Sequence, residues 1–201
     1  MMKNMYKFLF VFLLISNSLF ADEAANWLKK EIDYILNAYD KDNLTNIERF
    51  NYIEDTINKN FAGAGIAKFV AGQAWTSADK ETKKEYIKLF KKHLALNIAS
   101  LMRGYSDQEY SLIKSKFDES NDISLIDMKI KIDSGSILVT WRVKKSKDRF
   151  FVIDLLVADI SLVVTKRSEF NSSLKKIDYN LQSLNEILHN QNEISYNRII
   201  E

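Results

Sequence analysis

The sequence predicts an α+β domain in which helices cover one face of a curved antiparallel sheet. Two observations carry this. Apolar residues recur at helical spacing from Asn26 to about Leu101 and again toward the C-terminal end. Between those stretches, after about Gln108, the period shortens to two, the mark of strands with one buried face. Successive strands joined by short polar connections pair antiparallel, which places a meander between two helical regions.

Each element has its own signal. From Asn26 to Tyr39, Leu28, Ile32, Ile35, Leu36 and Tyr39 form one apolar stripe opposite Lys29, Lys30, Glu31 and Asp33. After a polar link from Asp40 to Asn43, Ile47, Phe50, Ile53, Ile57 and Phe61 predict a second helix, with Thr45 or Asn46 as its cap. Gly63 and Gly65 predict a break, and Ile66, Phe69 and Val70 a short third helix that ends near Gly72 with Trp75 at its exit. Thr76 to Asp79 supplies caps for a long helix carrying Tyr86, Ile87, Phe90, Leu94, Ile98 and Leu101 on one side and a lysine-rich face on the other; Gly104 is its expected terminator.

Strands are predicted from Tyr110 to Phe117, from Ile126 to Ile132, and from Ile137 to Val143 after a turn at Asp133-Ser134-Gly135-Ser136. Two more follow, Phe150 to Val157 and Ile160 to Lys166. Helical spacing returns at Phe170 and Leu174, is interrupted from Lys176 to Asn180, and resumes with Leu181, Leu184, Ile187 and Leu188. The last residues, Gln191 to Glu201, are expected to fray.

The N-terminus predicts export. Lys3 and Lys7 flank the start of an apolar run, Phe8 to Ile15, which passes through Ser16-Asn17-Ser18 to Leu19-Phe20-Ala21. A basic start, a short apolar run and a small residue at the end make a cleavable signal peptide over 1–21. A spanning helix needs about 20 apolar residues, and this run is interrupted well before that. Residues 22–201 are then a single domain, since 201 residues leave no room for a second full one.

Composition narrows the function by exclusion. Lysine and arginine total 29 against 27 acidic residues, and a net charge of +2 gives no electrostatic reason to expect nucleic acid. The absence of cysteine removes disulfides, thiolate metal sites and a cysteine nucleophile. The two histidines, His93 and His189, sit on different predicted helices with no metal-ligand spacing around them. No G-x-S-x-G elbow or phosphate-binding loop is present, and Gly63-Ala64-Gly65 lacks both a preceding strand and the third glycine, whose place Lys68 takes. The acidic pairs Asp22/Glu23 and Glu54/Asp55 are adjacent residues that point about 100° apart on a helix. No catalytic residue, metal ligand or cofactor site is therefore predicted. Three tryptophans, twelve phenylalanines and nine tyrosines supply much large apolar surface, and pattern alone does not distinguish a filled interior from a hollow one.

Two segments carry a family resemblance. The run from Arg149 to Phe170 holds Phe150, Asp154, Ile160-Ser161-Leu162, then Arg167-Ser168 and Phe170, in an order and spacing that resembles the hallmark of the MlaC or toluene-tolerance family of periplasmic phospholipid-binding proteins. Upstream, Phe61, Ile66, Ala67, Val70, Gly72 and Trp75 are similar to a second element of that family, and the helix after it, through Phe90 and Tyr105, is similar too. The sequence departs from the family pattern at Asp159, where glycine is usual, at Ile98, where tyrosine is usual, and near Ile177, where a glycine is missing.

The resemblance implies a periplasmic carrier of phospholipid, with an inner-membrane ABC transporter complex and an outer-membrane lipoprotein complex as partners, in a pathway that maintains outer-membrane lipid asymmetry. It implies an apolar cavity between helices and sheet, with Val70, Trp75, Phe90, Leu94, Ile98, Val139, Trp141, Val143, Leu162 and Val164 as the expected lipid-binding residues. Each CH₂ withdrawn from water is worth about 0.8 kcal/mol, so one chain of roughly sixteen carbons must be offset by about 13 kcal/mol of enclosure. The alternative is a periplasmic adaptor with a solid core that binds a protein partner.

Overall fold

The computed structural model describes residues 16–39, 44–103, 109–132 and 134–201. The apolar run expected to lead the signal peptide, the polar link after Tyr39, Gly104 and Asp133 lie outside them. The described residues fold into seven helices and a five-stranded antiparallel sheet in simple order, β1 to β5. Helices α1 (Ser16–Tyr39), α2 (Asn46–Asn60), α3 (Gly63–Ala71), α4 (Gln73–Ser77) and α5 (Lys80–Met102) come first. Strands β1 (Tyr110–Asp118), β2 (Ile123–Ile132), β3 (Gly135–Ser146), β4 (Arg149–Val157) and β5 (Ile160–Ser161) follow, and then α6 (Leu162–Lys175) and α7 (Leu181–Ile200).

Side chains beside the backbone start the helices. Thr45 accepts a hydrogen bond from the Glu48 amide while Glu48 reaches back to the Thr45 N–H, so α2 opens with a reciprocal cap. Asp79 accepts from the Thr82 amide at 2.8 Å to open α5, and Asn180 accepts from Ser183 at 2.9 Å to open α7. The break expected at Gly63 and Gly65 falls just before them, at Phe61 and Ala62, and both glycines lie inside α3, which ends at Gly72 as expected, where a φ of +55° suits a residue without a Cβ. Trp75 then sits within α4.

Two further expectations are corrected. The segment from Leu162 to Lys166 is not strand: β5 stops after Ser161, whose side chain accepts from the Val164 amide at 3.0 Å and turns the chain into α6. Nor does the C-terminal end fray at Gln191. Helix α7 continues to Ile200, and Asn192 and Ile199 are buried. Asn185 Nδ2 donates to the Thr82 carbonyl at 3.1 Å and Asn192 Nδ2 to the Leu89 carbonyl at 2.9 Å, so α7 runs beside α5 in the same direction. Buried polar groups with matched partners fix the register that apolar contacts alone leave loose.

This seam makes stability depend on pH. His93 lies 3.3 Å from Asn192 Oδ1, which is free to accept because the amide nitrogen is committed to Leu89, and its ring packs against Phe170. Burial, aided by Lys166, pushes the imidazole below its ordinary 6.5, outweighing the opposite pull of Asn192 and Glu169. The unfolded chain therefore binds the proton first, and stability falls as pH drops below 6.5. Thermal melts between about pH 7.5 and 5.5 should show this slope, and His93→Gln should flatten it. The capping carboxylates Glu48 and Asp79, held below the usual carboxylate range by their hydrogen bonds to Thr45 and Thr82, act only at lower pH.

The sheet has a helix-covered face and an outer face. Ile126, Trp141 and Leu155 align across β2, β3 and β4, as do Ser124, Val143 and Val152. Ile126, Val143 and Val152 are buried in one apolar cluster with Leu28 of α1, Ile53 of α2, Val70 of α3, Phe90 of α5 and Leu184 of α7. The register slips between Arg142 and Val143, so that Arg142 faces Asp154 while Val143 faces Val152, leaving Ile153 as an extra residue. That bulge keeps Leu155 on the covered face and sets Ile153 and Asp154 toward the outer one. Beside β4, the Ala62 amide donates to the Val152 carbonyl at 2.9 Å, so the link from α2 to α3 covers part of an otherwise open edge.

Between β4 and β5 the chain turns through Ala158 and Asp159, at φ of +47° and +64°. The usual family glycine would sit at the second of these. An L-residue pays a steric penalty here, least for Asp. Ala158 is exposed and loses no packing on truncation. Ala158→Gly is expected to raise stability by roughly 0.5–1 kcal/mol, a rise in melting temperature of about 1–4 °C for a domain of this size.

Candidate functional site

The outer face of the sheet carries a groove of about 580 Å³, within the range of small-ligand sites. One wall is helical: Gly65, Ile66 and Phe69 of α3 with Val163 and Val164 of α6. The other is the sheet, Ile123 and Leu125 of β2, Arg142 and Lys144 of β3, and Ile153 and Asp154 of β4, closed at one end by Asp118 and Asn121 of the β1–β2 turn. Its inner wall reaches the core: Ile66 is buried in the main apolar cluster and Val163 packs against it. Phe69 and Val164 stand at the open side, 42% and 55% exposed.

The walls are joined by two of the motif residues. Asp154 is buried and accepts from four donors. Its Oδ1 takes the Leu155 amide at 2.8 Å and the Val163 amide at 3.1 Å; its Oδ2 takes Ser161 Oγ at 2.7 Å and Arg142 Nη1 at 3.3 Å. One carboxylate thus binds β3, β4, β5 and the start of α6, where the helix dipole also favours negative charge. Arg167, one and a half turns along α6, donates from Nη1 to the Phe69 carbonyl at 2.9 Å and lies over the Phe69 ring at 4.4 Å. It thereby satisfies a carbonyl at the end of α3 and ties the two helices of the wall together.

The ten sequence-predicted lipid-binding residues divide between three places. Val70, Phe90 and Val143 are fully buried in the main cluster, and Trp75, Leu94, Ile98 and Trp141 pack half-buried against it. Val139 is buried on the same sheet face, outside that cluster. Leu162 and Val164 stand on the first turn of α6, exposed, and Val164 lines the groove. The covered side also holds two donors without an acceptor among the described residues, the Tyr86 hydroxyl and Trp141 Nε1. Burial drives the Tyr86 phenol well above its ordinary range, so it stays a neutral donor.

Sequence reasoning missed Gly65, Phe69, Arg142 and Ile153 as wall residues. Phe69 fitted a core position by helical spacing, and the bulge that sets Ile153 outward has no signature in one strand read alone. Two other clefts, of about 670 Å³ between α1 and α2 and about 650 Å³ between the starts of α5 and α7, are lined chiefly by polar and charged residues such as Lys30, Glu31, Asp55, Lys84, Glu85 and Lys88. Among the described residues no group of three or more His, Asp or Glu is placed to hold a metal ion, and no helix is long and apolar enough to cross a membrane.

No curated protein matches the chain. Among solved structures, the phospholipid-binding protein of Ralstonia solanacearum, determined in complex with a phospholipid, superposes with a TM-score of 0.73 at 15% identity, over 88% of this chain and 98% of that one. That likeness is one of fold. The family model of the MlaC protein matches residues 29–190, most of the chain and both motif segments. The chain belongs to the MlaC family.

Proposed function

We propose that this chain is a periplasmic phospholipid carrier, made with a signal peptide over 1–21 and active as residues 22–201. It shuttles lipid between an inner-membrane ABC transporter complex and an outer-membrane lipoprotein complex and so helps maintain outer-membrane lipid asymmetry. Family membership and the phospholipid bound by a protein of the same fold support the reading. The observation that carries it is the groove between α3, α6 and the sheet, whose inner residues Ile66 and Val163 lead into the apolar cluster.

Acyl chains enter past Val164 at the mouth, with Leu162 beside it on the first turn of α6, and separate the cluster built on Val70, Trp75, Phe90, Leu94, Ile98, Trp141 and Val143 from its neighbours, Val139 extending the same sheet face. The unpartnered donors of Tyr86 and Trp141 suit a ligand that brings hydrogen-bond acceptors, as the ester carbonyls of a diacyl lipid do. The work requires enclosure rather than bond-making, so it needs no catalytic residue.

Protein exported from cells and purified without detergent should yield phospholipid on organic extraction and mass spectrometry, and its first residue should be Asp22. An empty extract from folded protein would favour the adaptor with a solid core.

A further inference from the structure

The groove is chemically two-sided. Its helical wall, with Gly65, Phe69 and Val164, offers carbon, whereas the sheet wall presents Arg142 and Lys144. These cations occupy alternate positions of β3, so they share a face, roughly 7 Å apart along the strand. Neither is fully engaged. Arg142 meets Asp154 at 3.3 Å, while its Nε is shielded from water with no partner among the described residues. Lys144 meets Asp122 at 3.8 Å, beyond hydrogen-bond range.

The acids of the groove have several donors each. Asp118 accepts from Ser120 and Asn121, and Asp154 divides its charge between Arg142, Ser161 and two backbone amides. The formal charges of Arg142 and Lys144 are matched by Asp118 and Asp154, and Asp122 lies against Lys144 as well, so the groove has no net pull on a free anion. It suits a phosphate delivered by a molecule whose apolar part supplies most of the binding free energy. We infer that Arg142 and Lys144 receive the phosphodiester of a phospholipid whose acyl chains lie against the α3–α6 wall. This rests on the carrier reading and adds a polar orientation to it.

The test compares phospholipids with a diacylglycerol of the same chains that lacks the phosphate head group. Purified full-length mature protein is equilibrated with vesicles of phosphatidylglycerol and phosphatidylethanolamine containing diacylglycerol of the same chains, separated from them, and its bound lipids are counted by mass spectrometry. Lys144→Glu leaves the Arg142–Asp154 pair intact, and it should lower bound phospholipid about tenfold relative to diacylglycerol, the loss of one charge-assisted contact. Arg142→Gln, with its melting temperature recorded, should shift the ratio the same way. An unchanged ratio in both variants overturns the inference while leaving the carrier standing. Wild-type protein that takes up neither lipid overturns both. Inorganic phosphate at millimolar concentration should displace nothing; displacement would make this a site for the free anion and overturn the lipid assignment.

Discussion

Replacing Asp154 with alanine is expected to lower the unfolding free energy by about 2–4 kcal/mol, seen as a fall in melting temperature of about 4–16 °C for a domain of this size. The size of the effect follows from what is left behind. Four donors lose their acceptor at once: Arg142, Ser161 and the amides of Leu155 and Val163. The side chain is buried, so water does not simply replace it, although half-exposed Arg142 recovers part of its solvation and keeps the loss below that of a fully buried pair. Asp154→Asn sharpens the test. Its remaining carbonyl oxygen can serve the two amides, while its NH₂ stands where Ser161 and Arg142 donate, so an intermediate loss is expected. An alanine variant that melts with the wild type would show that Asp154 does not hold β4, β5 and α6 together.

That carboxylate also marks what a single sequence reveals and what it hides. Phe150, Asp154 and Ser161 stand out as a spaced set, yet their physical reason appears only when the strands are aligned and one side chain is seen to bridge four elements. Strands β1 to β4 were legible because alternation survives wherever one face is buried, as Ile126, Met128 and Ile130 illustrate. Helix caps were legible because Thr45 and Asp79 act within three residues of themselves. The stretch after Ser161 was not: Leu162, Val163, Val164 and Thr165 are β-prone by type, and a short apolar run fits either period. What decides for helix is Asp154 and Ser161 capping the first turn, and Asp154 acts from another strand.

The C-terminal segment misled for the opposite reason. Gln191 to Arg198 is mostly polar, so it resembles a tail, but Asn192 can be buried because it meets a backbone carbonyl 103 residues away in sequence on α5. The candidate site was half legible for a related reason. Helical and strand periods find residues that point inward, and they gave Val70, Phe90 and Val143. They do not find a groove made where α3 and α6 wrap the β4 edge, whose walls include a glycine, an exposed phenylalanine and a bulge residue.

Gly65→Trp is expected to abolish lipid retention, by about tenfold or more, without weakening the fold, and this separation makes it the sharper of the two tests. A Cβ built on Gly65 meets nothing within 4 Å, so the new side chain projects into open groove rather than into neighbouring atoms. Glycine inside a helix costs about 0.5–1 kcal/mol relative to a residue with a side chain, so α3 itself should tolerate or favour the change. An indole is among the largest side chains, and here it would lie against Phe69 and Val164 and occupy the path an acyl chain must take. A charged residue at Trp141 or Leu94 would also stop binding, but by disturbing the cluster on which the fold depends, so its result would not distinguish a blocked site from a broken core. If Gly65→Trp protein melts at or above the wild-type temperature and comes off the column free of phospholipid, the groove is the way in. If it still carries lipid at the wild-type level, the chains reach the interior by another route and the groove must be given up as the site.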